Sequence, residues 1–373
     1  MSHVVQLAKF YDPAHGGIER VVKDYATGLV AAGHEVTVIA FAHDGVTRTD
    51  HPSERLRVVR LAPELRIGPV PLSLRYLWHG WRIGRRADIV HVHEPNPLAT
   101  VAALLAGSRP VRIVTWHADA VRFGPVRHFY RLLQGALCRR ARAVLVSSES
   151  MRQSSELLPA LGPLVQIMPL GLDLAGFATL DPGLAETARA REGGRYVLAV
   201  GRLVPYKGFD VLIKALESTD LRAVIVGDGP LRAELEALAG AGGVAGQVRF
   251  AGPASDEELR ALLAGCDHFA FPSSGVGEAF GLAQIEAMAA GKAVINTSLP
   301  TGVPEVSLHE RTGLTVPPGD VEALRAAMLR LWNDPALART LGQAGRERAF
   351  ARFGRSRLIG RLLEICGIAP VAP

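Results

Sequence analysis

Short apolar runs alternate with amphipathic stretches of helix length along nearly the whole chain, and most runs end in glycine or a polar cluster. Residues 4–8 and 35–41 read as buried strands, with an amphipathic helix over 18–31 between them that stops at Gly33. Strand, helix and strand at that spacing make a βαβ unit of a parallel sheet. The rhythm continues with strands over 56–61, 88–92, 111–115 and 143–146. It breaks in the Gly-, Pro- and Ala-rich run over 169–194. It restarts with strands over 196–200, 223–226, 248–251 and 267–271, and closes with helices over 321–333, 335–352 and 355–366. The expected fold class is α/β, with two Rossmann-like parallel-sheet domains. Residues 1–172 form the first, 173–353 form the second, and 354–373 cross back onto the first. A length of 373 residues suits two domains of ordinary size.

Hydrophobic content of 48% and charged content of 21% belong to a globular chain with large cores. The longest apolar run, over 99–106, is less than half the length needed to span a bilayer. The N-terminus lacks a charged stretch followed by a long apolar one, so no signal peptide is expected. Cys138, Cys266 and Cys366 are far apart and show no metal-ligand spacing, which reads as buried thiols in a reducing cytoplasm.

Charge is uneven. Residues 55–142 hold sixteen arginines, no lysine and four acidic residues, a net +12 in a chain whose total is +6. Such a patch suits an anionic surface or ligand: a membrane, a nucleic acid or a pyrophosphate-linked substrate. No helix-turn-helix or RNA-recognition signature accompanies it, which argues against nucleic acid. The segment over 72–86 is basic and aromatic. If helical, it places Leu72, Tyr76 and arginines at a membrane interface, the alternative being a core-packing helix with Arg outside. A second basic segment over 122–142 carries Phe123, Phe129 and Tyr130, and reads as an anion- or membrane-binding helix or as a solvated face. Residues 63–71 read as a loop.

Polar clusters follow strand ends at 93–97, 116–119 and 147–149, where open parallel sheets bind ligands. Glu94 either orients an acceptor hydroxyl or caps a turn. Gly16 and Gly17 let backbone approach a ligand closely, or form a plain turn. Arg202 and Lys207 lie five apart on a glycine-bracketed strand-to-helix turn, so both can converge on one pyrophosphate. Gly227-Asp228-Gly229 is not a dinucleotide fingerprint, because the third glycine position is Arg232. Pro230 suits the first position of the helix that follows.

The densest stretch is Phe271 to Thr297: a strand end, a Gly-rich loop, a short helix, a Gly stop and another strand. Phe280, Gly281 and Leu282 open the helix, whose unpaired N–H groups can hold a phosphate. Leu282, Ile285 and Ala289 make its core stripe, and Glu286 points elsewhere. Glu278 would meet a sugar and Glu286 would accept from ribose hydroxyls. The alternatives are a loop charge and a solvated helix face.

This stretch resembles the Glu-x7-Glu signature of family 4 retaining glycosyltransferases, which have the two-domain GT-B fold. Gly201-Arg202 with Lys207-Gly208, and the linker Pro169-Leu170-Gly171-Leu172-Asp173, resemble further motifs of that family. The resemblance implies two domains facing a cleft, the first for acceptor and the second for nucleotide sugar. It implies His117, which matches a Thr-x-His site, close to the transferred sugar. It places Gly16 and Gly17 at the donor pyrophosphate, and Arg202 and Lys207 at the leaving diphosphate. Asp119 joins Glu94 as an acceptor candidate, although Ala118 separates it from His117. No Asp-x-Asp occurs, so no metal or other cofactor is expected.

His117 and Glu278 would position the sugar while the acceptor hydroxyl attacks from the face the diphosphate leaves. The runs at 116–119 and 300–304 most resemble bacterial mannosyltransferases of O-antigen and exopolysaccharide assembly. GDP-mannose is therefore the expected donor, with a UDP-sugar and a soluble acceptor as the alternative. The expected acceptor is a polyprenyl-diphosphate-linked glycan, with the enzyme peripheral at the inner membrane face. A nucleotide-sugar epimerase and an inactive nucleotide-sugar-binding protein are the readings from other classes.

Overall fold

The Val- and Ile-rich runs form the centres of two sheets in the computed structural model, which describes residues 1–12, 16–67, 70–119 and 126–371. The chain divides into two units: Met1–Leu172 together with the chain from Arg355, and Asp173–Gly354. Among the described residues, no helix is long and apolar enough to cross a membrane.

The first unit holds β1 (His3–Leu7), β2 (Glu35–Phe41), β3 (Arg48–Ser53), β4 (Leu56–Leu61), β5 (Leu65–Ile67), β6 (Val70–Leu72), β7 (Ile89–Glu94), β8 (Val111–Trp116), β9 (Ala143–Val146) and β10 (Val165–Ile167). Among the described residues, one sheet has the order β10-β9-β8-β7-β1-β2-β4-β3. Its neighbours run parallel except β3, which lies antiparallel on β4. The order reverses at β1, since the chain builds outward through β2 and β4 and then returns to β7 on the other side. Ligands bind beyond the strand ends at such a reversal. β7 is buried along its whole length, as parallel strands covered on both faces by helices are.

The structure corrects several expectations here. The span 63–71 is not a plain loop: β5 and β6 pair antiparallel, with Leu65 opposite Leu72. Pro71 is compatible with this because a two-stranded ribbon leaves one side of each strand without partners. β3 is an additional strand with a polar sequence, tied to β4 by Arg60 Nε on Asp50 Oδ2 at 2.5 Å. The basic aromatic helix runs over Leu74–Gly84, with the Ser73 side chain accepting from Tyr76 N. Tyr76 does not face a membrane. It is fully buried, stacks on Phe41 at 4.6 Å, and donates its hydroxyl to the Ala8 carbonyl at 2.8 Å. Leu72 is half-buried, and the apolar residues this helix exposes are Leu74 and Trp78. The helix Val126–Arg139 exposes Phe129 and Leu132 but buries Tyr130. Arg122 and Phe123 lie outside the described residues.

The second unit holds β11 (Val197–Val200), β12 (Ala223–Val226), β13 (Val248–Gly252), β14 (His268–Ala270), β15 (Val294–Thr297) and β16 (Gly313–Val316). They form a parallel sheet in the order β13-β12-β11-β14-β15-β16, which reverses between β11 and β14. One face packs Leu212, Ile213 and Leu216 of the helix Phe209–Leu216 against Ile225, Ile295 and Met328. Pro230 falls outside its expected position, because the next helix starts at Arg232, after Leu231. All three cysteines are free and buried. Burial raises their thiols, Cys138 and Cys366 to about 12 and Cys266 to about 11.

Candidate active site

In the second unit, the turn after β11 and the loop after β14 meet. Gly208 has φ 68, and a Cβ there would lie 2.0 Å from the Pro272 carbonyl oxygen. Only glycine satisfies both the left-handed backbone and that approach. Ser274 N donates to the Tyr206 carbonyl at 2.9 Å, a second tie between the loops. Across this junction the Lys207 ammonium pairs with the Glu278 carboxylate, and it also lies 5.0 Å from the Phe271 ring centre. Arg202, on the same turn, is exposed. Lys207, expected at the diphosphate, and Glu278, expected at the sugar, are thus direct neighbours.

Gly281, with φ 87, is the N-cap of the helix Leu282–Ala289 and provides no side-chain capping bond. The first N–H groups of that helix therefore have no side-chain cap, and they suit an oxyanion. Phe280 is core, edge-on to Phe353 at 6.0 Å, so only its backbone is available to a ligand. Gly302 N donates to the Ala279 carbonyl at 2.8 Å, fixing the 300–305 loop beside the helix start. Glu286 is only 6% exposed, which rules out a solvated face. The helix is buried from Gln284 to Ala289 because the helix Pro335–Phe353 covers it from behind.

In the first unit, the strand ends of β7 and β8 bring Glu94 and His117 together, with His117 N donating to the Glu94 carbonyl at 3.0 Å. The Glu94 side chain does not serve an acceptor. It is 0% exposed and accepts from Thr100 Oγ1, Tyr130 Oη, Gln134 Nε2 at 2.9 Å and Asn96 N at 3.1 Å. Four internal donors occupy its two oxygens, so the acceptor expectation is corrected to a structural one. Burial raises its carboxyl above the usual range. Asp119 Oδ1 accepts from Trp116 Nε1 at 2.9 Å and Ser155 Oγ at 2.7 Å. It lines an open hollow with Trp116, Arg127 and Arg131. Gly16 is extended, a conformation any residue adopts, and caps the helix Gly17–Ala31. Both glycines are exposed.

His117 is 7% exposed, and burial lowers its imidazole to about 4. It is therefore neutral at pH 7 and can donate one hydrogen bond and accept another. Among the described residues, no group of three or more His, Cys, Asp or Glu is placed to hold a metal ion.

Residues 185–348 match the family described as Glycosyl transferases group 1, and residues 16–167 match the Glycosyl transferase 4-like domain. The chain is 32% identical to D-rhamnosyltransferase WbpZ of Pseudomonas aeruginosa over 88% of its own length and 86% of that protein. The chain belongs to the group 1 glycosyltransferases. This glycosyltransferase is also 29% identical to O-antigen chain mannosyltransferase C of Escherichia coli over 95% of each chain. Its GT-B fold is that of Anabaena Alr3699/HepE, solved in complex with UDP and glucose, with a TM-score of 0.79 at 20% identity over 98% and 100% of the two chains.

Two features of the glycosyltransferase are absent from the sequence reading. Beneath the phosphate-sized helix start, Gln284 Oε1 accepts from Asn296 Nδ2 at 2.9 Å, and that amide also reaches the Val303 and Ser307 carbonyls. This fully buried set anchors the helix to β15 and the 303–307 turn. In the first unit, His91 and His93 stack with ring centres 4.5 Å apart, and the His117 ring lies nearly parallel to that of His93, edge to edge, with His117 Nε2 3.0 Å from His93 Nδ1. The alternation His91, His93 along β7 was the available signal, since alternate residues share a strand face.

Proposed function

We propose that this glycosyltransferase retains anomeric configuration, works without a metal, and moves mannose from GDP-mannose to a hydroxyl of a polyprenyl-diphosphate-linked glycan. The observation that carries the reading is the pairing of Lys207 with Glu278, three residues before the helix start at Gly281, with Arg202 exposed on the turn that carries Lys207. Lys207 and Arg202 balance the diphosphate, the helix N–H groups hold its oxygens, and buried Glu286 takes the ribose. Preorganised donors of this kind stabilise a leaving group without reorganisation. His117 and Glu278 orient the sugar.

The acceptor oxygen bonds to the anomeric carbon on the face the diphosphate leaves. The carbon–oxygen bond to phosphate breaks, and the acceptor proton passes to the departing oxygen. Mannose is favoured by the mannosyltransferase among the relatives. The relative named a D-rhamnosyltransferase favours a 6-deoxymannosyl donor as the second reading. The Arg-rich first unit, with Leu74, Trp78, Phe129 and Leu132 exposed, supports a peripheral place at the inner face of the membrane.

The test is calorimetric binding of GDP and UDP in EDTA, followed by turnover of GDP-mannose and GDP-rhamnose. Tighter GDP binding and metal-free turnover of GDP-mannose support the reading. Tighter UDP binding replaces the donor, and binding of neither removes the assignment of Arg202, Lys207 and Glu286.

A further inference from the structure

We infer that Gln6 and His93 are positioning residues that fix His117 as its Nδ1–H tautomer, so that it presents an N–H donor and not a lone pair. The inference starts from a buried chain of side chains: Gln6 on β1, His93 on β7 and His117 just past β8, exposed by 0%, 2% and 7%. His93 Nδ1 lies 3.0 Å from His117 Nε2, and His93 Nε2 lies 3.3 Å from the Gln6 amide.

The polarity of this chain is set at its far end by backbone, which cannot exchange donor for acceptor. Two groups of the helix Gly17–Ala31 face the Gln6 side chain. Ala26 N–H can only donate, so the amide oxygen stands against it at 3.1 Å. The Val22 carbonyl can only accept, so the amide nitrogen stands against that at 3.2 Å. The second N–H of the amide is then directed to His93 Nε2 at 3.3 Å. His93 Nε2 must accept, which in a neutral ring puts the proton on Nδ1. His93 Nδ1–H donates to His117 Nε2, and the His117 proton is left on Nδ1.

Burial supports the neutral state of both rings, holding His93 well below its ordinary value and His117 near about 4. Tyr25 closes the chain from the helix side, its ring 6.1 Å from that of His93. No described residue accepts from His117 Nδ1. The outcome is a neutral donor of fixed direction at the strand end, suited to a sugar hydroxyl oxygen and unsuited to taking a proton from the acceptor. Its catalytic use rests on the proposed placement of His117 against the transferred sugar.

The test is long-range 1H–15N correlation of histidine-labelled full-length protein, which distinguishes protonated from bare ring nitrogens. The His117 signals are assigned by their loss in His117→Ala. The expected spectrum shows His117 protonated at Nδ1 and bare at Nε2. Gln6→Glu offers only acceptors when its carboxyl is ionised, so at a pH that ionises it the variant reverses the chain and moves the His117 proton to Nε2. Turnover then falls roughly tenfold, the loss of about one hydrogen bond, while KM for the donor is nearly unchanged.

Should Gln6→Glu fail to fold, His93→Asn and His93→Leu carry the test. Asn restores a donor to His117 Nε2 and the Nδ1–H signature, and Leu yields mixed tautomers. A wild-type spectrum with His117 protonated at Nε2, or no difference between Asn and Leu, overturns the inference. The spectra are taken on free protein, so they are independent of the proposed function. A His117→Ala enzyme of undiminished turnover would instead sink the sugar-facing role.

Discussion

Lys207 and Glu278 form an ion pair that joins two loops of the second unit, one following β11 and the other following β14. Both side chains are largely buried, so each is the main counter-charge of the other. Lys207→Met removes a cation proposed to meet the diphosphate, and nucleoside diphosphate binding is expected to weaken about tenfold or more. Glu278→Gln keeps a hydrogen-bonding side chain and is expected to hold nucleotide within a few-fold while turnover falls about a hundredfold. Calorimetry and initial rates on the two variants separate these effects. A Glu278→Gln enzyme with full turnover contradicts the sugar-orienting role.

Glu94 is expected to act through stability alone. Glu94→Ala strands Thr100, Tyr130, Gln134 and Asn96 N without their common acceptor. The expected loss is about 3 kcal/mol in urea unfolding. Activity per folded molecule, measured at low temperature, should remain. A variant that unfolds like the parent but has lost acceptor turnover would restore Glu94 to the binding site.

Four buried histidines predict acid sensitivity. Burial lowers His91 to about 3 and His117 and His268 to about 4, with His93 well below the ordinary value. In the unfolded chain each takes a proton near pH ~6.5. Below that pH the unfolded state binds more protons, so stability falls as pH drops, by about 1.4 kcal/mol per unit for each group. Glu94 opposes this. Its raised carboxyl contributes fully below the ordinary carboxylate value, and that contribution fades as pH rises through the folded value. One opposing group does not offset four, so urea midpoints are expected to drop steadily from pH ~7 to ~5. A level profile over that range would mean the histidines are not held neutral.

Membrane attachment has its own test. Trp78 lies under Arg82, with the guanidinium 4.7 Å from the ring centre, and Phe129 is 65% exposed on the other basic helix. The protein is expected to sediment with anionic vesicles and to release at high salt, as screened charge does. Trp78→Ala with Phe129→Ala should weaken sedimentation several-fold with donor binding intact, since each buried aromatic contributes about 1.5–3 kcal/mol at most. Equal sedimentation of parent and variant would remove these side chains from the interface.

The sheet centres were legible because parallel strands are apolar on both faces, and β2, β9 and β12 stand where their apolar runs do. β3 was not legible: Arg-Thr-Asp-His-Pro-Ser carries no apolar alternation, and it is held by long-range partners on β4. The burial of Tyr76 and Glu94 was hidden for the same reason. Phe41 and Ala8 precede Tyr76 by many residues, and Tyr130 and Gln134 follow Glu94 at a distance. Gly80 reads as a helix breaker, yet a Cβ there would lie 2.8 Å from Ala102, so it marks close helix packing. At the candidate site, spacing singled out candidate side chains but could not pair them. Lys207 and Glu278 each had a ligand role, and only the folded loops show that they bind each other.

The returning helix Arg355–Cys366 determines the order in which this protein is completed. It packs Ile359 where a Cβ on Gly28 would lie within 2.4 Å, Arg355 N donates to the Leu172 carbonyl at 2.9 Å, and Val371 N donates to Ala32 O at 2.9 Å. The first unit is thus discontinuous, and the second is an insertion within it. During synthesis, the second unit is whole before the first has received its last helix, although the first began earlier. A nascent chain that has emerged from the ribosome only as far as residue 354 holds a complete second unit and a first unit with one flank of the helix Gly17–Ala31 uncovered. That bare flank is a natural target for a holding chaperone until the final turns of helix arrive.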